Sequence, residues 1–253
     1  MPSRVRRQHF QPSETQDLPP TTNDSMTSQH RLIIGVDFGT TYTSVAYVQT
    51  SIRHWSEVHS LQSFKDKAQV IRQWPNRAED RNDIQTALLY NKKEPQDPYF
   101  GWGVEYAPDF CDKEDLSPEI RLFKLSMHSS PETTQIREQL DSIATGLDKT
   151  PANFVRDFLG KLRSYLLDGP ESFFRRTFAN KVEDWKVEWA LGIPAAWQNP
   201  HEQQVYVDAA REAGIESPAL VSEPEATATL FFAMEDQLLK VRITLYHLLG
   251  EYN

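Results

Sequence analysis

The order of hydrophobic segments in this chain predicts an α/β fold with one mixed five-stranded sheet and flanking helices. Three short apolar runs bounded by turn residues come first, and two more apolar runs come after residue 180. A segment with helical periodicity separates the last two runs, which implies parallel pairing through a right-handed crossover. We therefore expect the first strand at the centre of the sheet, between the early strands and the strand that ends near Ile193.

The first three strands are predicted to form a meander. Residues 32–37 form a buried apolar run, residues 38–41 form a turn, and residues 44–48 form the second strand. The short connection makes these two strands antiparallel. The third strand is expected within residues 68–74.

Residues 75–130 are rich in Pro, Asp, Asn and Lys and contain short strand-like pieces at 86–90 and 120–125. This composition predicts a subdomain inserted into a larger domain of residues 31–240.

The pattern is clearer from Thr150 onward. Thr150 and Pro151 are typical of a helix N-terminus. The helix then shows an apolar stripe, and Gly169 lies at its end. The residues of the stripe are Phe154, Phe158, Leu162 and Leu166.

The remaining elements alternate between strand and helix. A strand is predicted from residue 185 to 193, a helix from Asn199 to Gly214, and a short strand at residues 219–221. Glu223 and Pro224 open a final helix. Its apolar residues are Leu230, Phe231, Met234 and Leu238.

Composition excludes several classes of function. The net charge of −9 argues against a general nucleic-acid binder, which needs a basic surface. The sequence shows no apolar run long enough to cross a membrane. Cys111 is the one cysteine, so an intramolecular disulfide is impossible and a reducing compartment is favoured. Residues 1–30 have neither an apolar signal core nor apolar periodicity, which predicts a disordered leader and a cytoplasmic protein.

The segment after the first strand has the composition of a phosphate-binding turn. Gly39 has no Cβ to obstruct an anion, and Thr40, Thr41 and Tyr42 can offer backbone N–H groups. Asp37 ends the strand, where its carboxylate can hold a magnesium ion through water. The alternative is a tight hairpin in which these residues only satisfy turn hydrogen bonds.

A second set of motifs supports the phosphate-binding interpretation. The segments WALGIPA, AAREAGI and VSEPEATA follow the first motif in order. With the DFGTT turn, they make residues 31–235 resemble the seventy-kilodalton heat-shock protein family, in particular its divergent eukaryotic members. The resemblance implies the first lobe of an actin-like ATPase domain with a ribonuclease-H-like fold.

The resemblance also implies roles for individual residues. Asp37 would be the catalytic carboxylate near the metal, and Gly39 to Tyr42 would form the first phosphate loop. Glu223 would hold metal-bound or attacking water, unless it is only a carboxylate that stabilises a helix N-terminus. The implied ligands are ATP or ADP with Mg²⁺, and the implied protein partners are clients or co-chaperones.

The chain departs from the family pattern in three ways. Glu105 aligns where the family has a lysine that approaches the phosphates. Glu202 stands where the family has an arginine linked to its interlobe proline, which Pro194 matches. No second glycine-rich phosphate loop follows residue 240, so we expect residues 241–253 to be an atypical, truncated tail.

Three functions therefore stay open. The first is an ATP-binding lobe of a chaperone-like ATPase that is impaired in this chain. The second is a pseudo-ATPase that recognises another protein. The third, which the sequence favours least, is a sugar or metabolite kinase of the same superfamily.

Overall fold

The computed structural model describes residues 30–50, 67–179, 181–197 and 199–226. The predicted leader, apart from His30, lies outside the described residues. So do the apolar residues of the final helix and the tail 241–253.

One mixed sheet is the framework of the structure. Its strands are β1 (Arg31–Phe38), β2 (Tyr42–Thr50), β3 (Gln69–Val70), β4 (Asp83–Gln85), β7 (Lys186–Ile193) and β8 (Ala219–Ser222). The order is β3-β2-β1-β7-β8, and β4 pairs with β2 beside β3. The predicted mixed sheet and the central place of the first strand are confirmed. The pairing of β4 is an addition to the five predicted strands.

β1 has an antiparallel neighbour on one side and a parallel neighbour on the other. It pairs with β2 along its whole length, from Arg31 opposite Thr50 to Phe38 opposite Thr43. It runs parallel to β7, with Val36 opposite Leu191. β7 in turn runs parallel to β8, so three strands end at the same edge of the sheet.

The helices cover one face of this sheet. They are α1 (Thr134–Gly146), α2 (Pro151–Leu167), α3 (Phe173–Thr177) and α4 (Pro200–Glu212). α2 packs against α4. The start of α2 agrees with the prediction, because the Asn153 side chain accepts a hydrogen bond from the backbone N–H of Thr150 at 2.9 Å. α1 and α3 are not among the predicted elements.

Strand alternation explains where the core lies. β1 points Leu32, Ile34, Val36 and Phe38 towards the helices, and all four are buried. The Phe38 ring lies 5.7 Å from Phe158 of α2 and 5.7 Å from Tyr206 of α4, between ring centroids. The opposite face of the sheet carries small side chains at its centre, including Gly35, Ala46 and Ala190.

Residues 75–130 form few regular elements. The hairpin-like pair β5 (Leu88–Leu89) and β6 (Tyr99–Phe100) is followed by short 3-10 turns. A small apolar cluster of its own includes Ala87, Leu89, Val104 and Leu116. The expected strand at 120–125 is wrong beyond Ile120, because Leu122 adopts a left-handed conformation (φ 60°) and a 3-10 helix, Phe123–Met127, follows it.

A buried charged cluster joins this region to α2. The Asp157 carboxylate accepts hydrogen bonds from the hydroxyl of Tyr90 at 2.8 Å and from Lys149 Nζ at 3.0 Å. The side chain of Lys149 is only 6% exposed, so Asp157 is its compensating charge.

No helix in the described ranges has the length and apolar character that crossing a membrane requires.

Replacing Asp157 tests this junction. Asp157→Ala leaves a buried ammonium and a buried hydroxyl without their acceptor, and we expect it to lower the free energy of unfolding by about 3–5 kcal/mol. Asp97→Ala is the control, because Asp97 is 80% exposed and pairs with Lys161 at the surface. The control should change stability by less than about 0.5 kcal/mol. Urea unfolding followed by circular dichroism measures the free energy of unfolding of both variants. Equal losses would show that the buried cluster contributes no more to stability than the surface pair.

Candidate functional site

Asp37 and Glu223 lie at the carboxyl ends of two parallel strands, β1 and β8, which are separated by β7. Asp37 is the penultimate residue of β1, and Glu223 directly follows β8. Both border one cavity of about 360 Å³ on the small-residue face of the sheet. The carboxyl edge of a parallel sheet is where open α/β folds bind ligands.

Gly192 of β7 lies between these two carboxylates in the strand order. A Cβ atom at Gly192 would lie 3.4 Å from the carbonyl oxygen of Val36 and 3.8 Å from Asp37 Oδ1. The absence of a side chain at this position therefore leaves room beside the Asp37 carboxylate, inside the cavity.

A capping box begins the helix that carries Glu223. The hydroxyl of Ser222 accepts a hydrogen bond from the backbone N–H of Glu225 at 3.3 Å, and the Glu225 carboxylate accepts one from Ser222 N at 3.1 Å. The strand therefore ends at Ser222, and residues 223–226 are helical. Glu223 lies in the first turn of this helix, where the helix dipole stabilises a negative charge.

The turn between β1 and β2 is held from two sides. A Cβ on Gly39 would lie 2.1 Å from the carbonyl oxygen of Tyr42, so this turn accepts only glycine. The carbonyl oxygen of Thr41 accepts a hydrogen bond from Thr86 N at 2.9 Å. The buried hydroxyls of Thr43 and Thr86 are 2.8 Å apart. The turn is therefore fixed before any ligand binds.

The structure does not bring all of the predicted site residues into the cavity. Its lining includes Asp37 and Glu223 but none of residues 39–42. Thr41 and Tyr42 are exposed, Thr40 is partly exposed, and the Tyr42 ring packs on Trp102 with centroids 6.1 Å apart. The side chain of Tyr42 is thus turned to a neighbouring surface, and only the backbone of the turn and the two threonine hydroxyls can face an anion.

A lysine that the sequence did not single out lies at this site. Lys124 belongs to the 3-10 helix Phe123–Met127, and its side chain is 5% exposed. Its Nζ lies 3.4 Å from Glu223 Oε1. Burial lowers the pKa of Lys124, while the charges of Glu223 and Asp37 oppose that shift. The available signal was weak, because Lys124 is one of two charged residues, with Arg121, in the run from Ile120 to Leu125.

Glu105 lies elsewhere. It is exposed, and its carboxylate accepts a hydrogen bond from Gln85 Nε2 at 2.6 Å, while Gln85 accepts one from Arg121 at 2.7 Å. Glu105 therefore takes part in a network beside the turn and is not among the residues that line the cavity. The lysine that contacts Glu223, Lys124, comes from a different part of the chain.

Glu202 holds the segment that carries Lys124 against α4. Its carboxylate accepts a hydrogen bond from Ser129 N at 3.1 Å and lies 3.1 Å from His128 Nδ1. Glu202 is buried in the first turn of α4. Glu202 therefore has a structural role.

The described residues can hold a divalent ion only together with another ligand. No cluster of three or more His, Cys, Asp or Glu suited to a metal occurs within the described ranges. Two carboxylates at one edge of the sheet, on strands separated by β7, are nevertheless a fitting partial set for Mg²⁺. This ion commonly takes one or two protein carboxylates and completes its shell with phosphate oxygens and water.

Gly39→Ala tests the turn. The added methyl group must displace the backbone at Tyr42, and we expect a loss of about 1–3 kcal/mol in the free energy of unfolding. Gly146→Ala is the matched control, because a Cβ there meets nothing within 4 Å and lies at the end of α1. Chemical denaturation should show the control to be neutral or stabilising. A neutral Gly39→Ala would mean that the turn is not constrained.

The chain matches no protein-family model, and comparison with curated proteins finds no match for it.

Proposed function

We propose that this chain is the phosphate-binding lobe of an actin-like ATP-binding domain, similar to that of seventy-kilodalton heat-shock proteins. One observation carries the proposal: Asp37 and Glu223 border a single cavity at the carboxyl ends of parallel strands. Three of the sequence motifs that suggested the family, DFGTT, WALGIPA and VSEPEATA, include the strand ends that form this edge of the sheet. The actin-like and ribonuclease-H-like assignments are part of this proposal.

Each residue has a distinct role in the proposed site. Asp37 and Glu223 hold a divalent ion, directly or through water, and Glu223 can orient a water molecule at the base of the cavity. The backbone of residues 39–41 and the hydroxyls of Thr40 and Thr41 receive phosphate oxygens. When bound, Mg²⁺ neutralises charge on the phosphates. Lys124 adds a positive charge beside the carboxylates.

Binding of nucleotide by these residues should be weak. Asp37 is exposed, and the Glu223 side chain is 49% exposed, so water screens the interactions that both can make with a metal–phosphate complex. The roles assigned above concern metal and phosphate and do not involve the adenine ring. We expect no ATP hydrolysis above background.

A second candidate is a pseudo-ATPase that recognises another protein, such as a client or co-chaperone. The contact of Lys124 with Glu223 favours it, because this pair compensates the Glu223 charge without nucleotide. The two candidates differ in whether Mg-ATP binds through Asp37.

Calorimetry with Mg-ATP tests the proposed site. We expect binding no tighter than a Kd of about 1 mM, equivalent to about −4 kcal/mol. Asp37→Asn should weaken binding at least about fivefold, because it removes one of the two carboxylates. Asp141→Asn, on the exposed surface of α1, is the control and should leave binding unchanged. Absence of any Asp37-dependent binding would favour the pseudo-ATPase. Micromolar binding lost in Asp37→Ala would show a complete nucleotide site and overturn the expected impairment.

Tripolyphosphate provides a second measurement. The proposed contacts involve phosphate and metal alone, so the adenosine part of ATP should add little binding free energy. Mg-tripolyphosphate should therefore bind with a Kd within about threefold of that of Mg-ATP. Direct competition between the two ligands, followed by calorimetry, checks this. If ATP bound more than tenfold tighter, the chain would contain an adenine site that the present proposal does not include.

A further inference from the structure

Lys124 occupies an unusual place for a charged residue. Its side chain is almost completely buried, and its Nζ lies 5.8 Å from the centroids of both the Phe38 and the Trp197 rings. These rings are themselves buried, and Trp197 packs edge-on against Tyr206 with centroids 5.5 Å apart. The ammonium therefore sits in an aromatic environment from which water is largely excluded, with Glu223 on its open side.

An ammonium in such a place needs a carboxylate. Moving a charge out of water costs several kcal/mol unless a partner compensates it. The Glu223 carboxylate lies at 3.4 Å, and the charge of Asp37 also acts on Lys124. In turn, the positive charge of Lys124 compensates part of the negative charge that these carboxylates bring to the cavity.

The hydroxyl of Tyr206 adds a second buried group near Asp37. Tyr206 is fully buried, and its hydroxyl has no hydrogen-bond partner among the described residues. Burial raises the pKa of this hydroxyl, and the charge of Asp37 raises it further. Asp37 therefore interacts electrostatically with two buried groups, the hydroxyl of Tyr206 and the ammonium of Lys124.

We propose that Lys124 is the resident cation of this site and that it competes with free divalent metal ions for Asp37 and Glu223. The charge of the three groups together is −1, which attracts a divalent ion far less than two uncompensated carboxylates do. A metal ion then enters efficiently only with a ligand whose own negative charge offsets Lys124. This last step rests on the proposed phosphate site, whereas the competition itself does not.

Titration of the nucleotide-free full chain with Mn²⁺, followed by electron paramagnetic resonance, tests the competition. Lys124→Met keeps most of the aliphatic volume and removes the charge, and we expect Mn²⁺ to bind at least about tenfold tighter than to the unmodified chain. Lys124→Gln keeps a donor for Glu223 and should show the same change, which provides a second variant if Lys124→Met does not fold.

Lys149→Met is the matched control. Lys149 is also buried and paired with a carboxylate, but its partner is Asp157, which is not among the residues that line the cavity. Its replacement should leave Mn²⁺ affinity unchanged. The double variant Lys124→Met/Glu223→Gln should lose the gain, because one of the two carboxylates is gone.

Two results would overturn the proposal: Mn²⁺ affinity that is the same with and without Lys124, including no binding in either, or an equal gain in Lys149→Met. The outcome is independent of ATP. A chain that gains Mn²⁺ affinity on loss of Lys124 but never binds nucleotide would contradict the proposed function and retain this inference.

Discussion

The two-sided pairing of β1 is the constraint on which the rest of the structure depends. Its antiparallel partner β2 arrives through a tight turn, and its parallel partner β7 arrives more than a hundred residues later. The first pairing creates the turn at Gly39, and the second brings the end of β7, and through it β8, to the same edge. Both pairings are therefore needed to place Asp37 and Glu223 at the same cavity.

The alternation of side chains along β1 separates two environments at this edge. Phe38 points into a dry core of aromatic rings, whereas Asp37, one residue earlier, is exposed on the other face. Lys124 connects the two, since its ammonium lies 5.8 Å from the centroid of the Phe38 ring and 3.4 Å from the Glu223 carboxylate. The electrostatics of the cavity are therefore set in part by the packing of the core, because the rings confine the charge.

The parts of the fold that were predictable are those with a local signal. β1, β2, β7, α2 and α4 have strong periodicity or capping residues. β4 is only three residues long and forms by pairing with β2. The local sequence of β4 contains no pattern that predicts this pairing.

The residues of the candidate site also include some that local sequence predicts and some that depend on tertiary contacts. Glycine and carboxylates beside strand ends indicated Asp37, Gly39 and Glu223 from the sequence. Lys124 was not predicted, because its significance arises from Glu223, 99 residues away, and from a left-handed turn at Leu122. The side chain of Tyr42 packs outward onto Trp102, which is a tertiary contact that no spacing rule foresees.

The origin of the Lys124 charge has a consequence for how relatives of this chain should be sought. Under the proposed resemblance, Glu105 stands where a lysine would approach the phosphates, so a comparison by aligned position alone counts that positive charge as lost. In three dimensions a lysine lies 3.4 Å from the Glu223 carboxylate, on a 3-10 helix that follows the Leu88–Ile120 bridge. A search keyed to this arrangement, an apolar run with one embedded lysine between the two strand-end carboxylates, would group chains that a column-based comparison separates.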